Sequence, residues 1–312
     1  MQGLSMSYIG SLFITNDFRT EVSALEIIDE KEFSMTKQNF DFIQSLAYEE
    51  TGIVLPERKK HMVYSRLSRR LRHLGLKNFN QYCEHVQSEP SELMNFVNAL
   101  TTNLTAFFRE EHHFDYLDKE IAPLWRRRRN KRLRVWSSAC STGEEPYSIA
   151  MTLADHFAGA EWDLKILATD LDTNVLNKAA KGCYSEESIT GLPDRYREKY
   201  IKMTPNGIQM KPSIQKNIHF KQLNLLQKWP MTGPFDVIFC RNVLIYFDNE
   251  TKAKIIAKFR KLLAPDGLLF IGHSETLTNL SDEFELIGQT IYQPLQGGHA
   301  KVHGERKKAL TG

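Results

Sequence analysis

The 312-residue chain predicts an α/β protein. The expected fold is a doubly wound, mostly parallel sheet with an antiparallel edge, preceded by an all-α domain and interrupted by a small antiparallel β insertion. Three observations carry that expectation. Residues 36–100 repeat apolar side chains at three- and four-residue spacing, the period of a helix. Past Lys131 the texture changes to short runs of branched and aromatic residues alternating with helical stretches, which implies βαβ units. Between two short alternating segments lies Asn206-Gly207, a hairpin signal because both residues tolerate positive φ.

Residues 1–32 have no firm period and read as an extension. From Thr36 onward, Phe40, Ile43, Leu46 and Ala47 form one apolar face, and Gly52 and Pro56 then punctuate the chain. In the next helix Val63, Leu67, Leu71 and Leu74 fall within an arc of about 80° at 100° per residue. Arg66, Arg69 and His73 share a separate arc of about 60°, so the helix has one basic face, and Gly75 follows as its C-cap. Further helices are expected over Phe79–Gln87 and Ser91–Leu100, which makes 33–100 a helical domain. Residues 101–130 read as a linker and 131–296 as the sheet domain. Its strands are expected at Leu133–Ala139, Leu164–Asp170, Ile218–Leu223, Phe235–Arg241 and Gly267–His273. Helices are expected at Glu145–Phe157, Thr173–Ala180 and Asn249–Leu263. The interval 183–217 is too long for a simple connection and is assigned to the β insertion, with Tyr200–Met203 as one of its strands. Phe284–Gln293 reads as an antiparallel edge pair, and 297–312, rich in Gly and Lys, as a frayed tail.

Hydrophobic residues at 41% and charged residues at 25% match an ordinary soluble protein. The apolar runs are strand-length, far short of a membrane span, and no secretory signal is evident. Cys83, Cys140, Cys183 and Cys240 are scattered, without a CxxC pair for zinc or redox chemistry. They read as buried thiols in a reducing cytoplasm. Net charge is only +3, yet two basic clusters stand out, Arg58–His73 and Arg126–Arg134. Each suits an acidic surface, nucleic acid or plain solvent.

The chemistry concentrates where the first strand runs into Cys140-Ser141-Thr142-Gly143-Glu144-Glu145-Pro146. A strand, a small-residue turn and a helix start make a ligand-binding corner at the carboxyl end of a parallel sheet. A phosphate cradle would favour several glycines and a lysine. Two carboxylates stand here instead, which argues for a ligand bearing positive charge or hydroxyls; Glu145 alone also suits a helix N-terminus. The second strand ends in Asp170, placed to accept from a ribose diol. Together these features suit S-adenosylmethionine, which has a ribose, a sulfonium and no phosphate.

Several separated stretches extend this reading. Thr101–Glu110 (TTNLTAFFRE), Ala139–Tyr147, Ala168–Asp172, Phe239–Phe247 (FCRNVLIYF) and Gly272-His273-Ser274-Glu275 resemble, in the same order, the bacterial chemotaxis-receptor methyltransferase (CheR) family over roughly residues 36–292. The resemblance implies a class I S-adenosylmethionine methyltransferase sheet that esterifies glutamate side chains of methyl-accepting receptors. It also implies a cofactor contacted by Asn103, Thr105, Arg109, Glu144, Asp170, Asn224, Leu225, Arg241 and Asn242. Asp170 would sit at the ribose, and Asn224 and Leu225 would flank the adenine. Arg109 would lie near the methionine end or the substrate carboxylate, and Tyr246 close to the transferred methyl. A glutamate carboxylate is already ionised near neutral pH and needs no general base, so catalysis would rest on positioning and on excluding water. Arg66, Arg69 and His73 would steer the acidic receptor helices.

His273 reads as a structural strand-end residue, and Phe107 and Phe108 as core packing. No metal is expected, contact with the membrane would come only through receptors, and nothing demands more than a monomer. Two alternatives stay open. The first is a nucleic-acid methyltransferase, although Arg241-Asn242-Val243-Leu244 replaces the Asn/Asp-Pro-Pro-aromatic motif of base amino-group methylation. The second is a non-enzymatic cofactor-binding adaptor.

Overall fold

The computed structural model describes residues 32–157 and 161–295. The expected extension, apart from Glu32, and the expected tail lie outside the described residues. Four helices come first: α1 (Lys37–Thr51), α2 (Lys60–Leu74), α3 (Phe79–Ser88) and α4 (Pro90–Leu100). Their limits follow from local chemistry. Thr36 and Asn39 form a capping box on α1, and Gly52 ends that helix in the left-handed conformation. Asn78 caps α3, and Pro90 opens α4 where its missing N–H costs nothing. The apolar faces meet in one core in which Phe40, Ile43, Val63, Leu67, Leu71 and Phe96 are fully buried. Glu92 is buried beside them and paired with Arg70 at 2.6 Å.

A short α5 (His112–Tyr116), a π-helical turn (Leu117–Ile121) and α6 (Ala122–Trp125) follow. The sequence predicts a linker over this stretch. Phe114, Leu117, Ala122 and Trp125 instead pack into the core of the sheet domain. The mixed helical register and the Pro inside α6 hide the periodicity that would have announced them.

The sheet domain then runs β1 (Arg132–Ser137), α7 (Glu144–Phe157), β2 (Asp163–Asp170), α8 (Thr173–Lys181), β3 (Cys183–Tyr184), α9 (Asp194–Tyr200), β4 (Ile201–Thr204), β5 (Gly207–Met210), α10 (Pro212–Gln215), β6 (Ile218–Gln222), β7 (Phe235–Cys240), α11 (Asn249–Leu262), β8 (Leu263–Ile271), β9 (Phe284–Gly288) and β10 (Ile291–Pro294). Seven strands form the main sheet in the order β6-β2-β1-β7-β8-β10-β9. The first five are parallel and the last two antiparallel to their neighbours. Every residue of β7 is buried, as expected of a central parallel strand covered on both faces. The chain order reverses between β1 and β7, the switch point where open α/β sheets bind ligands.

The expected antiparallel edge pair forms: β9 and β10 pair across the turn after Gly288, and it is β10 rather than β9 that lies beside β8. Burial explains the choice, since Ile291 and Tyr292 are buried whereas Leu286 on β9 is 62% exposed. In the insertion, Asn206-Gly207 does turn β4 into β5, and β3 adds a third strand. Tyr200 ends helix α9 rather than opening a strand. β8 begins at Leu263, earlier than expected.

Polar contacts fasten the helical domain to the sheet domain. Asn98 donates to Thr173 Oγ1 at 3.1 Å, Asn224 to the Glu50 carbonyl at 2.8 Å, and Tyr48 to Asp248 at 2.7 Å. Asp172 is the hinge of this set. Its Oδ1 caps α8 through Asn174 N, while its Oδ2 accepts from Thr101 Oγ1 and Asn103 Nδ2, both at 2.8 Å. Replacing Asp172 by Ala removes a cap and two charge-assisted bonds, so urea unfolding should show a loss of about 2–4 kcal/mol. Asp172→Asn should lose clearly less, because it keeps an acceptor.

Candidate active site

A cleft of ≈ 1060 Å³ lies over the carboxyl edge of the sheet. Its floor is the ends of β1, β2, β6 and β7, and its roof is Thr51–Lys59 of the helical domain with the segment 100–109. Asn103, Thr105, Arg109, Asp170, Asn224, Leu225, Arg241, Asn242 and Tyr246 all line it. Glu144 does not. Its carboxylate accepts from Thr142 Oγ1 at 2.6 Å, and the next residue, Glu145, faces the cleft instead. Sequence spacing could not separate the two, because neighbours on a helix differ by only 100°. Gly143 makes the corner possible: at φ +100, a Cβ there would lie 2.7 Å from the Tyr184 hydroxyl.

The cleft floor is tied together by one buried cation. Arg241 contacts Glu145 at 3.0 Å and Glu110 at 3.3 Å, and also donates to the Arg109 carbonyl. Burial pushes the Glu145 carboxyl up, against the pull of Arg241 and Ser137. Burial also raises Glu110, but the hydrogen bond from His273 and the charge of Arg241 win and hold it at about 2. Burial lowers the His113 imidazole to about 3, with Arg241 adding to the effect, so the ring is neutral; its Nε2 lies 3.1 Å from the Gln289 carbonyl. Glu110, His112 and His113 bring potential ligand atoms within 4.8 Å of one another. Arg241 already supplies positive charge there, which opposes a metal ion.

Four of the six non-glycine residues with positive φ among the described residues lie at the same place. Phe108, Glu110, Ser141 and Asn242 all have positive φ, between 48 and 58°, at a cost of about 1–3 kcal/mol each. Each is held by a polar side chain. The N–H groups of Phe108, Ser141 and Asn242 donate to Ser148 Oγ (3.0 Å), Asp170 Oδ2 (2.8 Å) and Glu275 Oε2 (2.9 Å), and the Glu110 carboxylate is held by Arg241. Glu275 was not among the expected site residues. Its buried carboxylate also accepts from Gly272 N at 2.6 Å and Ile245 N at 3.2 Å, which sets the loop that carries Tyr246. Gly272 allows this approach, because a Cβ there would lie 2.4 Å from Asn242 Nδ2. Bonds to a carboxylate are worth about 1.5–3 kcal/mol, enough to offset the strain.

Other expected residues lie elsewhere. Arg66, Arg69 and His73 are outside the cleft. Arg66 is spent on structure, donating to the carbonyls of Leu100 (2.8 Å) and Thr101 (2.7 Å), while Arg69 and His73 are exposed. The arginine run is partly internal as well, since Arg128 pairs with Asp236 and Asp266, and Arg134 with Asp163. His273 is exposed and bonded to Glu110 at 2.8 Å. Phe107 packs edge-on against Tyr184, and Phe108 stacks on Tyr196. Of the cysteines, Cys83, Cys140 and Cys240 are buried but Cys183 is exposed, which corrects the expectation that all four are buried.

Residues 103–293 match the CheR methyltransferase SAM binding domain, and residues 38–101 match the CheR methyltransferase all-alpha domain. The chain belongs to the CheR methyltransferase family. It is 46% identical over 267 residues to a chemotaxis protein methyltransferase of Escherichia coli K12, covering 83% of this chain and 91% of that one. A chemotaxis protein methyltransferase 2 of Pseudomonas aeruginosa is 44% identical over 86% of this chain and 97% of its own length. A chemotaxis protein methyltransferase of Borreliella burgdorferi is 39% identical over 78% of this chain and 90% of its own length. The chain is thus an S-adenosylmethionine-dependent methyltransferase, and the cleft has donors that fit this cofactor. Carboxylates of Glu145 and Asp170 suit a cation and hydroxyls, and Leu171, Leu223 and Leu225 suit a flat base.

Removing the buried cation leaves two acids uncompensated. Arg241→Met should therefore cost about 3–5 kcal/mol in chemical denaturation. Adding Glu145→Gln to that variant should recover part of the loss.

Proposed function

We propose that this chain transfers the methyl group of S-adenosylmethionine to glutamate carboxylates of methyl-accepting chemotaxis receptors, forming methyl esters. The observation that carries the reading is the charge pattern of the cleft: acids on its floor, with Arg109 and Tyr246 on its lining and its roof supplied by the helical domain. When bound, the cofactor supplies an activated methyl on a sulfonium. Asp170 accepts from the ribose hydroxyls, Glu145 faces the amino group of the methionine moiety, and Leu225 and Asn224 flank the adenine. Asn103 and Thr105 cover the cofactor from the linker. The acceptor carboxylate is already a nucleophile, so the chain orients it with cations and an aromatic ring and keeps water out. A grip that is too tight would stabilise the ground state and raise the barrier.

The partners in this reading are the acidic cytoplasmic helices of the receptors, which places the chain in the cytoplasm. Among the described residues no helix is long and apolar enough to cross a membrane. Arg69 and His73 are the free part of the basic face. Because Arg66 is bound to the α4 terminus, its reversal would disturb the domain junction as well as the surface.

Labelled cofactor incubated with receptor-containing membranes should yield base-labile methyl ester in the receptors. Arg69→Glu with His73→Glu should lower that rate several-fold at low salt and leave cofactor affinity unchanged. Label in RNA, or cofactor binding without any ester, would sink the reading.

Acid should weaken cofactor binding in a defined window. Burial raises the Asp170 carboxyl from 3.8 to about 6, so the group becomes protonated as pH falls through about 6. Calorimetric titration should show cofactor affinity falling between pH 7 and 5 in the native chain, and a flatter, weaker profile for Asp170→Asn. The sign for stability is opposite. The folded state binds the extra proton between 3.8 and about 6, so this carboxyl favours folding at low pH and loses that contribution as pH rises through about 6.

A further inference from the structure

We infer that Lys59, at the start of α2, holds the carboxylate of the substrate glutamate, leaving Arg109 to the carboxylate of the cofactor. The inference rests on the proposed reaction, in which two carboxylates must be bound in one cleft. Three cations line that cleft: Arg241, Arg109 and Lys59. Arg241 is neutralised by Glu145 and Glu110. Among the described residues neither Arg109 nor Lys59 has an ion-pair partner, so two cations are available for two anions.

Their surroundings divide the work. The Arg109 backbone is bonded to Arg241, whose partner Glu145 faces the same cleft. An amino-acid head needs an acid and a base side by side, and this corner supplies both. Lys59 stands on the other wall, with its ammonium 5.0 Å from the centre of the Tyr246 ring. Its charged neighbours are Arg58 and Arg66, and no acid offsets them. It is the N-cap of the helix that carries Arg69 and His73, so the exposed basic surface leads toward the cleft at this residue.

Helix stability does not account for a lysine here. Lys59 is the N-cap residue of α2, provides no side-chain cap, and is followed by a first turn without acids. A cation at a helix N-terminus is opposed by the macrodipole, and half-burial costs it further solvation. Both penalties are relieved when an anion arrives, which is the behaviour of a binding residue rather than a structural one.

Lys59→Met and Lys59→Arg test the assignment, with receptor membranes as the methyl acceptor and calorimetry for the cofactor. Lys59→Met should lower kcat/KM for receptor 10- to 100-fold, keep the cofactor Kd within twofold and leave the thermal midpoint unchanged or slightly raised. Lys59→Arg should restore most of the rate. The loss should persist at high salt, whereas the effect of Arg69 should fade. A cofactor Kd weakened in parallel would move Lys59 to the cofactor and overturn the inference, as would an unchanged kcat/KM. Absence of ester with the native chain overturns the functional reading, and this inference with it.

Discussion

The buried guanidinium of Arg241 is the constraint on which the cleft depends. It draws together the end of β7, the start of α7 and the segment entering from the helical domain, through Glu145, Glu110 and the Arg109 carbonyl. Two acids so close in a dry interior would repel each other or take up protons; one shared cation offsets that repulsion, although burial still pushes the Glu145 carboxyl up. The arrangement also fixes where the free charges lie. With the charge of Arg241 matched by Glu145 and Glu110, the cations left for an anion entering the cleft are on the roof and the linker.

Around this centre the backbone is bent into conformations that side chains other than glycine avoid. The four strained residues are not scattered; each sits beside a buried polar group that holds it in place. Asp170 therefore has two tasks. It secures the turn after β1 through Ser141 N and the turn after β2 through Asp172 N. Its raised carboxyl is the physical cost of doing both where little water reaches.

Much of the architecture was legible from the residues. Periodicity in 36–100 and alternation after Lys131 are direct consequences of burial on one helix face or on two sheet faces, so they survive as pattern. Asn206-Gly207 was legible because few dipeptides adopt that turn. The position of β10 was not, because strand order is decided by which of two similar segments buries more apolar surface. The site divides the same way. Arg241 was legible only through the resemblance of its stretch, whereas Asp170, at a strand end, could be found by place. Glu145 against Glu144 could not, and neither could the capture of Arg66 by carbonyls that lie more than thirty residues away. Glu275 left only a weak trace in the sequence, a lone acid beyond the fifth parallel strand.

The strand order has a consequence for how the protein is made. β8 gains its second neighbour only when β10 pairs with it, and His113 Nε2 finds its partners only in Gln289 and Thr290. During synthesis the flank of β8 therefore stays open to mispairing until these segments emerge. Among the described residues β9 and β10 come last in sequence, so closing this edge is a late step of assembly.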